Sequence, residues 1–408
     1  MQAININQTH KLSFRYHLLI VLTFAITILV QVLILGERTQ ALHYDEDAYS
    51  QFASTLNTKG LEGIRLLIKK YPQDEFLSKA PSALRILYPW LGAISSKLLG
   101  IPAVQALRLI SLFFWLGVII ISLIIYRSWF SLSIALPASL LMVISPLGIM
   151  LSQYALVDTA MAFIIIMSIF LFHRCCIHNR KSDPLILTVF LLAGFLTKES
   201  MFFLYPCLAA AWLYYRRNYG LSLSNRSLFA FLIAPLLYVL ISSWVAGGLG
   251  DYIAHYRYFS KIAVNIPYNI KYQSGPWFRY ALDFFLASPA VFLFALIGMI
   301  SLLHDKDERI NRNLANVYVL SAFIVFGSLP SLNVRNLLFL DVFLRALAVF
   351  GIFSISERIA RPKYRHAVVL LLFILIVASG IAQIYKLVFL ENIYDPITCN
   401  LYLGNGLH

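Results

Sequence analysis

The stretch RILYPWLGAISSKLLG, residues 85–100, decides the topology of this chain, because it is apolar enough to be mistaken for a membrane span. As a helix it would rise only about 24 Å, against about 30 Å for the hydrocarbon core of a bilayer. It also contains Pro89 and is bracketed by Arg85 and Lys97. We therefore predict an interfacial helix that lies flat on the membrane surface, with its charged side chains reaching water.

The composition around this stretch is that of a membrane protein. Of 408 residues, 60% are hydrophobic and 13% are charged, and the mean hydropathy is +0.76. The four cysteines do not form a framework, since Cys175 and Cys176 are neighbours, so we infer neither disulfides nor a zinc site. The net charge of +14 would suit nucleic acid. However, Lys and Arg cluster in short connections between apolar runs, which indicates membrane topology and no nucleic-acid partner.

The fold class that these runs predict is an all-α polytopic membrane protein with about eleven transmembrane helices and interfacial helices in its first outer loop. The predicted spans follow one another at intervals along the chain, at residues 17–36, 103–126, 132–150, 158–173, 184–197, 201–215, 227–246, 286–303, 314–330, 337–356 and 367–386. The run at 17–36 is too long for the core of a cleaved signal and lacks an obvious small-residue cleavage site, so it predicts a retained first span.

These spans give a domain organisation with a cytosolic N-terminus in a plasma membrane, which we expect to be a bacterial inner membrane. Basic residues then concentrate in the short cytosolic connectors, as the positive-inside rule requires. The predicted segments in chain order are a cytosolic N-terminus at 1–16, a transmembrane module at 17–246 that includes the outer loop 37–102, a second outer loop at 247–285, C-terminal transmembrane helices at 286–386, and an outer tail at 387–408.

Three consecutive acids, Asp45, Glu46 and Asp47, follow the first span in the stretch YDEDAY, residues 44–49. Acids in the first turn of a helix are stabilised by the helix dipole, so helix capping explains them without any further function. The alternative is a catalytic carboxylate at the boundary between lipid and water, in which Asp45 acts and Glu46 orients it or shares a metal.

Other polar residues fall on the same side of the predicted membrane. Asp158 begins the fourth span, where it is either an N-cap or a second functional carboxylate. Lys198 lies in the tight hairpin LTKES, and Arg335 stands alone in an outer connector, where a guanidinium suits bidentate contact with phosphate. Further candidate phosphate-binding residues at this face are Arg85, His255 and Arg257. Carboxylates that face cations at lipid depth suit transfer from a lipid phosphate.

One charged pair lies deeper, on the tenth predicted span. Asp341 and Arg345 are spaced i, i+4, so they can neutralise each other on one helix face. Either charge alone would cost about 2.5–3.5 kcal/mol inside a membrane, which favours a structural pair over a transport site.

Five stretches in order resemble the GT-C superfamily of membrane glycosyltransferases, near the protein O-mannosyltransferase-like and aminoarabinose-transferase-like enzymes. They are YDEDAY after the first span, the surface-helix stretch RILYPWLGAISSKLLG, SPLGIMLSQYALVD ending at Asp158, GFLTKES around Lys198, and GPWFRY before the eighth span. The resemblance covers most of residues 15–350.

The resemblance implies transfer of a sugar from a polyprenyl-phosphate-linked donor at the outer face, with inversion. Asp45 would take the catalytic role, Lys198 would bind the donor phosphate, and Trp277 and Tyr280 would contact the carrier lipid. The expected partners are this donor, a glycan, lipid or protein acceptor, and membrane lipids. No cofactor is certain, although Mg²⁺ or Mn²⁺ on Asp45, Glu46 and Asp158 is compatible with the residue types.

Two other functions remain as alternatives at this stage. A transporter or flippase of lipid-linked sugars would place polar groups near the bilayer midplane on broken helices, and no internal repeat of that kind is visible. A non-catalytic membrane scaffold would have no need for Asp45, Lys198 and Arg335 to converge.

Overall fold

The computed structural model describes residues 44–390 apart from residues 179, 222, 305–311 and 360, together with residues 25 and 29. Its regular elements across those residues are helices, as the apolar periodicity of the chain predicts. The predicted cytosolic N-terminus, the first span at 17–36 apart from residues 25 and 29, and the part of the outer tail beyond residue 390 lie outside the described residues.

The predicted first outer loop folds into three helices. They are α1 (Tyr44–Lys70), α2 (Glu75–Lys79) and α3 (Leu87–Leu99). Helix α1 is broken at Gly60, whose backbone has φ 58° and ψ −148°, a conformation that is open essentially to glycine alone. Helix α3 coincides with the predicted surface helix. It buries Tyr88 and Ala93 and leaves Leu98 79% exposed, so it has one packed face and one apolar face that is uncovered.

The next part of the chain forms a bundle of apolar helices. In chain order these are α4 (Ala103–Trp129), α5 (Leu132–Val143), α6 (Pro146–Ser152), α7 (Asp158–Ile177), α8 (Asp183–Thr197), α9 (Leu204–Tyr219) and α10 (Asn225–Ala246). A short 3₁₀ helix, Glu199–Phe203, joins α8 to α9.

The second predicted outer loop and the C-terminal helices complete the described structure. They comprise α11 (Leu249–Asn265), α12 (Pro267–Tyr272), α13 (Arg279–Ala287), α14 (Pro289–His304), α15 (Arg312–Gly327), the 3₁₀ helix Val334–Leu337, α16 (Leu340–Glu357), α17 (Pro362–Ile384) and a final π-helical turn, Tyr385–Leu390. Helices α14 and α16 pack closely, because Gly298 and Gly351 let the two backbones approach.

Every predicted span beyond residue 100 coincides with a helix or a bent pair of helices. Four described helices are long and apolar enough to cross a membrane, namely Ala103–Trp129, Asp158–Ile177, Arg226–Ala246 and Tyr364–Leu387. The predicted single span at 132–150 is instead bent by 50° between α5 and α6. The bend arises because Ser145 caps a new helix by accepting from Gly148 N, and Pro146 follows it. The total of eleven spans stays a prediction.

Helices α1–α3 cover one end of this bundle. Tyr49, Phe52 and Tyr88 are buried together with Leu107 of α4, so the loop helices share a hydrophobic core with the bundle. Arg65 of α1 also donates to the last carbonyls of α10, with Nη2 3.1 Å from Trp244 O. A cation at a helix C-terminus satisfies free carbonyls and interacts favourably with the helix dipole.

The deep pair Asp341 and Arg345 is closed off inside the bundle. Arg345 Nε lies 2.9 Å from Asp341 Oδ2, and both side chains are less than 5% exposed. Asp341 also accepts from Ser145 Oγ at the bend between α5 and α6. The two charges thus neutralise each other, and Asp341 stabilises the bend between α5 and α6 through Ser145. This agrees with the structural interpretation of the pair.

Candidate active site

The site begins at the first turn of α1, where Asp45 meets Arg335. Both terminal nitrogens of the Arg335 guanidinium lie 3.3 Å from Asp45 Oδ2. The Asp45 side chain is 28% exposed and that of Arg335 is 11% exposed. Asp45 is therefore a carboxylate that a substrate can reach, held beside a largely buried cation.

A second carboxylate, Asp158, lies on the other side of Arg335. Its Oδ2 is 4.0 Å from Arg335 Nη1, and its Oδ1 is 2.8 Å from the Lys198 ammonium. The N-cap position of helix α7 is Val157 and Asp158 lies in the first turn, so Asp158 is not the N-cap residue. Burial lowers the pKa of Lys198, and the Asp158 carboxylate opposes that shift. Two carboxylates and two cations are thus gathered at one end of the bundle.

Arg85 and Glu199 form a third ion pair next to these groups. Arg85 Nη2 lies 2.8 Å from Glu199 Oε2, and Arg85 Nη1 donates to the Tyr49 hydroxyl at 3.0 Å. Tyr256 of α11 donates to Glu199 Oε1 at 3.2 Å. Burial would raise the pKa of Glu199, but the Arg85 guanidinium holds that pKa below its ordinary value. This pair joins α1, the segment before α3, the α8–α9 connection and α11.

Glu46 points away from Asp45 and takes part in a buried structural pair. Its two oxygens accept from Arg108 Nε at 2.9 Å and Nη2 at 3.1 Å, and Oε1 also accepts from Ala155 N at 2.7 Å. Its side chain is 0% exposed. The sequence predicted that Glu46 orients Asp45 or shares a metal with it, and in the structure its carboxylate binds Arg108 and Ala155 N. Glu46 instead fixes the turn of α1 that carries Asp45.

Arg108 supports the site as the ion-pair partner of Glu46, and sequence reasoning missed it. It lies near the start of the predicted span 103–126, where a single basic residue resembles an ordinary membrane-edge anchor. The signal that could have identified Arg108 was its position inside the apolar run, because a charge one turn inside an apolar helix needs a partner.

His255 and Arg257, predicted as phosphate-binding residues, lie on different faces of α11. His255 is buried, and its Nε2 lies 2.9 Å from Ser82 Oγ in the segment before α3. Burial lowers the pKa of His255 to about 4. Arg257 is exposed. Successive helical residues are about 100° apart, so positions 255 and 257 face nearly opposite sides. His255 thus anchors α11 to the first loop.

Trp277 and Tyr280, predicted to contact the carrier lipid, also separate. Trp277 is 65% exposed, whereas Tyr280 is fully buried. The Tyr280 hydroxyl accepts from Asn333 N at 3.1 Å, two residues before Arg335. Trp277 thus keeps a surface on which lipid can pack, while Tyr280 supports the connector that carries Arg335.

The residues suggested for Mg²⁺ or Mn²⁺ do not converge on one position. Asp45 and Asp158 face Arg335, and Glu46 faces Arg108. Among the residues that the structure describes, no group of three or more His, Cys, Asp and Glu side chains is arranged to hold an ion. The donor set of these three carboxylates therefore does not fit a shared metal, and no step below is assigned to one.

The chain resembles known proteins in part of its sequence and in its fold. The family model described as dolichyl-phosphate-mannose-protein mannosyltransferase matches residues 83–259, which is less than half of the chain. That match covers Arg85, Asp158, Lys198 and His255. No curated protein sequence matches the chain significantly.

Solved structures share the fold at low sequence identity. ArnT from Cupriavidus metallidurans in the apo state aligns with a TM-score of 0.60 and 14% identity, over 91% of this chain and 72% of that one. An oligosaccharyltransferase from Archaeoglobus fulgidus, tethered to an acceptor peptide, aligns with a TM-score of 0.63 and 14% identity, over 92% of this chain and 55% of that one. The same ArnT bound to undecaprenyl phosphate aligns with a TM-score of 0.55 and 14% identity, over 90% and 72%.

These findings confirm the predicted resemblance to the GT-C superfamily and the fold class of a helical, multi-pass membrane protein. At 14% identity the structural likeness concerns the fold. The chain spans only about half of the length of the oligosaccharyltransferase that it matches.

Proposed function

We propose that this protein is an integral-membrane glycosyltransferase that moves a sugar from a polyprenyl-phosphate-linked donor to an acceptor hydroxyl at the outer face of the membrane. The observation that carries this proposal is the position of Arg335, which lies between the accessible Asp45 carboxylate and the Asp158–Lys198 pair. A base and a pair of phosphate-binding cations are thereby held within one polar cluster. The family model and the undecaprenyl phosphate bound to the related ArnT support the choice of donor.

In this mechanism Asp45 is the general base. As the acceptor oxygen attacks the anomeric carbon, the proton of its hydroxyl passes to an Asp45 oxygen. The new carbon–oxygen bond forms on the face opposite to the bond that breaks, so the anomeric centre is inverted. The electron pair of the broken bond goes to the phosphate oxygen of the carrier lipid.

Lys198 and Arg335 stabilise the charge that develops on this leaving phosphate. Both side chains are largely buried, at 13% and 11% exposure, so their charges are weakly screened by water. Asp158 holds Lys198 in place through the 2.8 Å contact, and Arg85 lies behind this pair in its own ion pair with Glu199. The nitrogens of Arg85 are engaged by Glu199 and Tyr49. Arg85 is therefore proposed to add positive potential at the phosphate without contacting it directly.

A flippase of lipid-linked sugars is the alternative, and it would need polar groups along a path through the membrane. The described polar cluster lies at one end of the helices, where the starts of α4 and α7 and the ends of α8 and α10 meet α1. The deeper Asp341–Arg345 pair is buried and satisfied. This arrangement favours transfer at the membrane surface. We further propose a plasma membrane with the N-terminus in the cytosol, because basic residues concentrate in the connectors that this orientation places inside the cell.

Two measurements test the proposal together. Mass spectrometry of lipid that co-purifies with the protein should find a polyprenyl phosphate with a hexose or pentose attached. Incubation of the purified protein with that lipid and a hydroxyl acceptor should release the unglycosylated polyprenyl phosphate and form the inverted glycoside. Movement of the intact donor across vesicles without cleavage would instead favour the flippase.

A further inference from the structure

The connector that carries Arg335 is held by the segment that precedes and begins α13. Leu332 N donates to Gln273 O at 2.7 Å, and Ser331 Oγ donates to Gln273 Oε1 at 2.5 Å. The third contact is the Asn333 N–Tyr280 hydroxyl bond of 3.1 Å. Residues 331–333 are therefore fixed at three successive points by residues 273 and 280, immediately before the 3₁₀ helix on which Arg335 lies.

Asn333 connects this fixed segment to Arg335 through two hydrogen bonds. Its side-chain oxygen accepts from Arg335 N at 3.0 Å, which caps the 3₁₀ helix. The same oxygen accepts from Arg335 Nε at 3.4 Å. Asn333 is 4% exposed and Tyr280 is 0% exposed, so both groups are shielded from competing water.

The contact to Nε determines which way the guanidinium faces. An arginine side chain has several rotatable bonds and loses rotamer freedom when it is fixed. Its planar fork directs Nε to one edge and the two terminal nitrogens to another. With Nε turned toward Asn333, the terminal nitrogens face Asp45 and Asp158.

We propose that Asn333 and Tyr280 are positioning residues, which orient Arg335 toward the phosphate of the donor lipid. This inference rests on the proposed function, because it assigns a purpose to the orientation of a phosphate-binding cation. Tyr280 fixes the backbone of Asn333, Asn333 fixes Nε of Arg335, and Arg335 presents its terminal nitrogens to the site. Of these three residues, Arg335 is the one that contacts the phosphate.

The experiment measures the dissociation constant of undecaprenyl phosphate for the full-length protein in detergent micelles. Asn333→Ala should weaken binding about tenfold, the scale on which removal of a group that orients a ligand-binding residue acts at metal sites. Tyr280→Phe should weaken it less, because the ring still packs. Ser328→Ala is the matched control, since Ser328 is exposed and its Oγ donates to Val325 O, three residues earlier in the chain. It should bind as wild type.

A second variant separates orientation from helix capping. Asn333→Ser keeps a capping oxygen for Arg335 N but is too short to reach Nε. It should preserve thermal stability and still lose binding as Asn333→Ala does. Full binding by Asn333→Ser would show that capping is the whole role of Asn333 and would overturn the proposal.

The Arg335→Ala background supplies the decisive comparison. If Asn333 acts through Arg335, Asn333→Ala should add no loss of binding once Arg335 is gone, whereas independent effects multiply. Equal losses in both backgrounds would refute the positioning role while leaving the proposed function intact. If Arg335→Ala alone leaves binding unchanged, the phosphate-binding role in the proposed function is wrong instead.

Discussion

Arg335 places both terminal guanidinium nitrogens 3.3 Å from Asp45 Oδ2, although 290 positions of sequence separate the two residues. The same cation thus contacts the proposed base and is proposed to bind the leaving phosphate. A lipid phosphate that binds Arg335 would therefore lie beside the proposed base.

Asp45→Asn should lower transfer by about a hundredfold or more, the usual contribution of a general base. The amide keeps the size of the side chain and loses its basicity, so folding and donor binding should change little. Asp47→Asn is the matched control, since Asp47 lies in the same turn of α1 and is exposed. Turnover with a purified lipid-linked sugar is the measurement. More than about a tenth of wild-type turnover in Asp45→Asn would move the base to Asp158.

Lys198→Ala and Arg335→Ala should each reduce turnover by about a hundredfold, because each removes a charge that stabilises the leaving phosphate. The loss should appear in both kcat and donor affinity. Lys97→Ala removes an exposed cation of α3 outside the cluster, so it controls for net charge and should act as wild type. Near-normal turnover of both cluster variants would exclude the phosphate role.

Glu46→Gln should destabilise the protein by about 1–3 kcal/mol, because it removes the charged partner of Arg108, whose side chain is 29% exposed and can still reach water. The double variant Glu46→Leu, Arg108→Leu should be more stable than the single variant, since it removes both charges. Thermal unfolding in detergent, followed by tryptophan fluorescence, is the measurement. A single variant with unchanged melting temperature would show that the pair contributes nothing to stability.

Stability should fall as pH falls from about 6.5 to about 4, the interval between the ordinary pKa of histidine and the pKa that burial gives His255. In that interval the unfolded chain binds a proton at position 255 and the folded one does not, so stability rises with pH by at most about 1.4 kcal/mol per unit. The neighbouring Glu199 charge opposes the shift. His255→Gln should flatten this part of the melting-temperature profile, and an unchanged slope would assign it to other groups.

Single cysteines should report a common outer side for Lys59→Cys and Asn265→Cys, and the opposite side for Asn218→Cys. All three positions are exposed. The four native cysteines are first replaced, and a membrane-impermeant maleimide is applied to intact cells. Labelling of position 218 on the same side as position 59 would mean that residues 85–100 cross the membrane, which would reverse the proposed orientation.

Sequence reasoning found Asp158, Lys198 and Arg335 because topology alone predicts their convergence. Each lies at the end of an apolar run, and the parity of the runs brings these ends to the same side. In the structure Lys198 lies 2.8 Å and Arg335 lies 4.0 Å from Asp158. The structure also has a helix at the stretch predicted to be a surface helix, and its placement on the membrane surface stays a prediction that rests on its short length.

The partners of Glu46 and the role of Tyr280 were not accessible from sequence. Three consecutive acids share the same local pattern, and only packing reveals that Glu46 turns inward to Arg108 while Asp45 faces outward. An aromatic residue near a membrane surface usually contacts lipid, so the buried hydrogen bond from Asn333 to Tyr280 leaves no sequence signal. Side-chain direction depends on tertiary contacts that periodicity does not encode.

The contact between Asp45 and Arg335 also has a consequence for biosynthesis. A ribosome makes Asp45 early and Arg335 late, with Asp158 and Lys198 between them. Until synthesis has passed residue 335, Arg85 and Lys198 have been made but the cation that contacts both Asp45 and Asp158 has not. Under the proposed function, the nascent chain therefore reaches full activity only after Arg335 has been made and its helices have assembled.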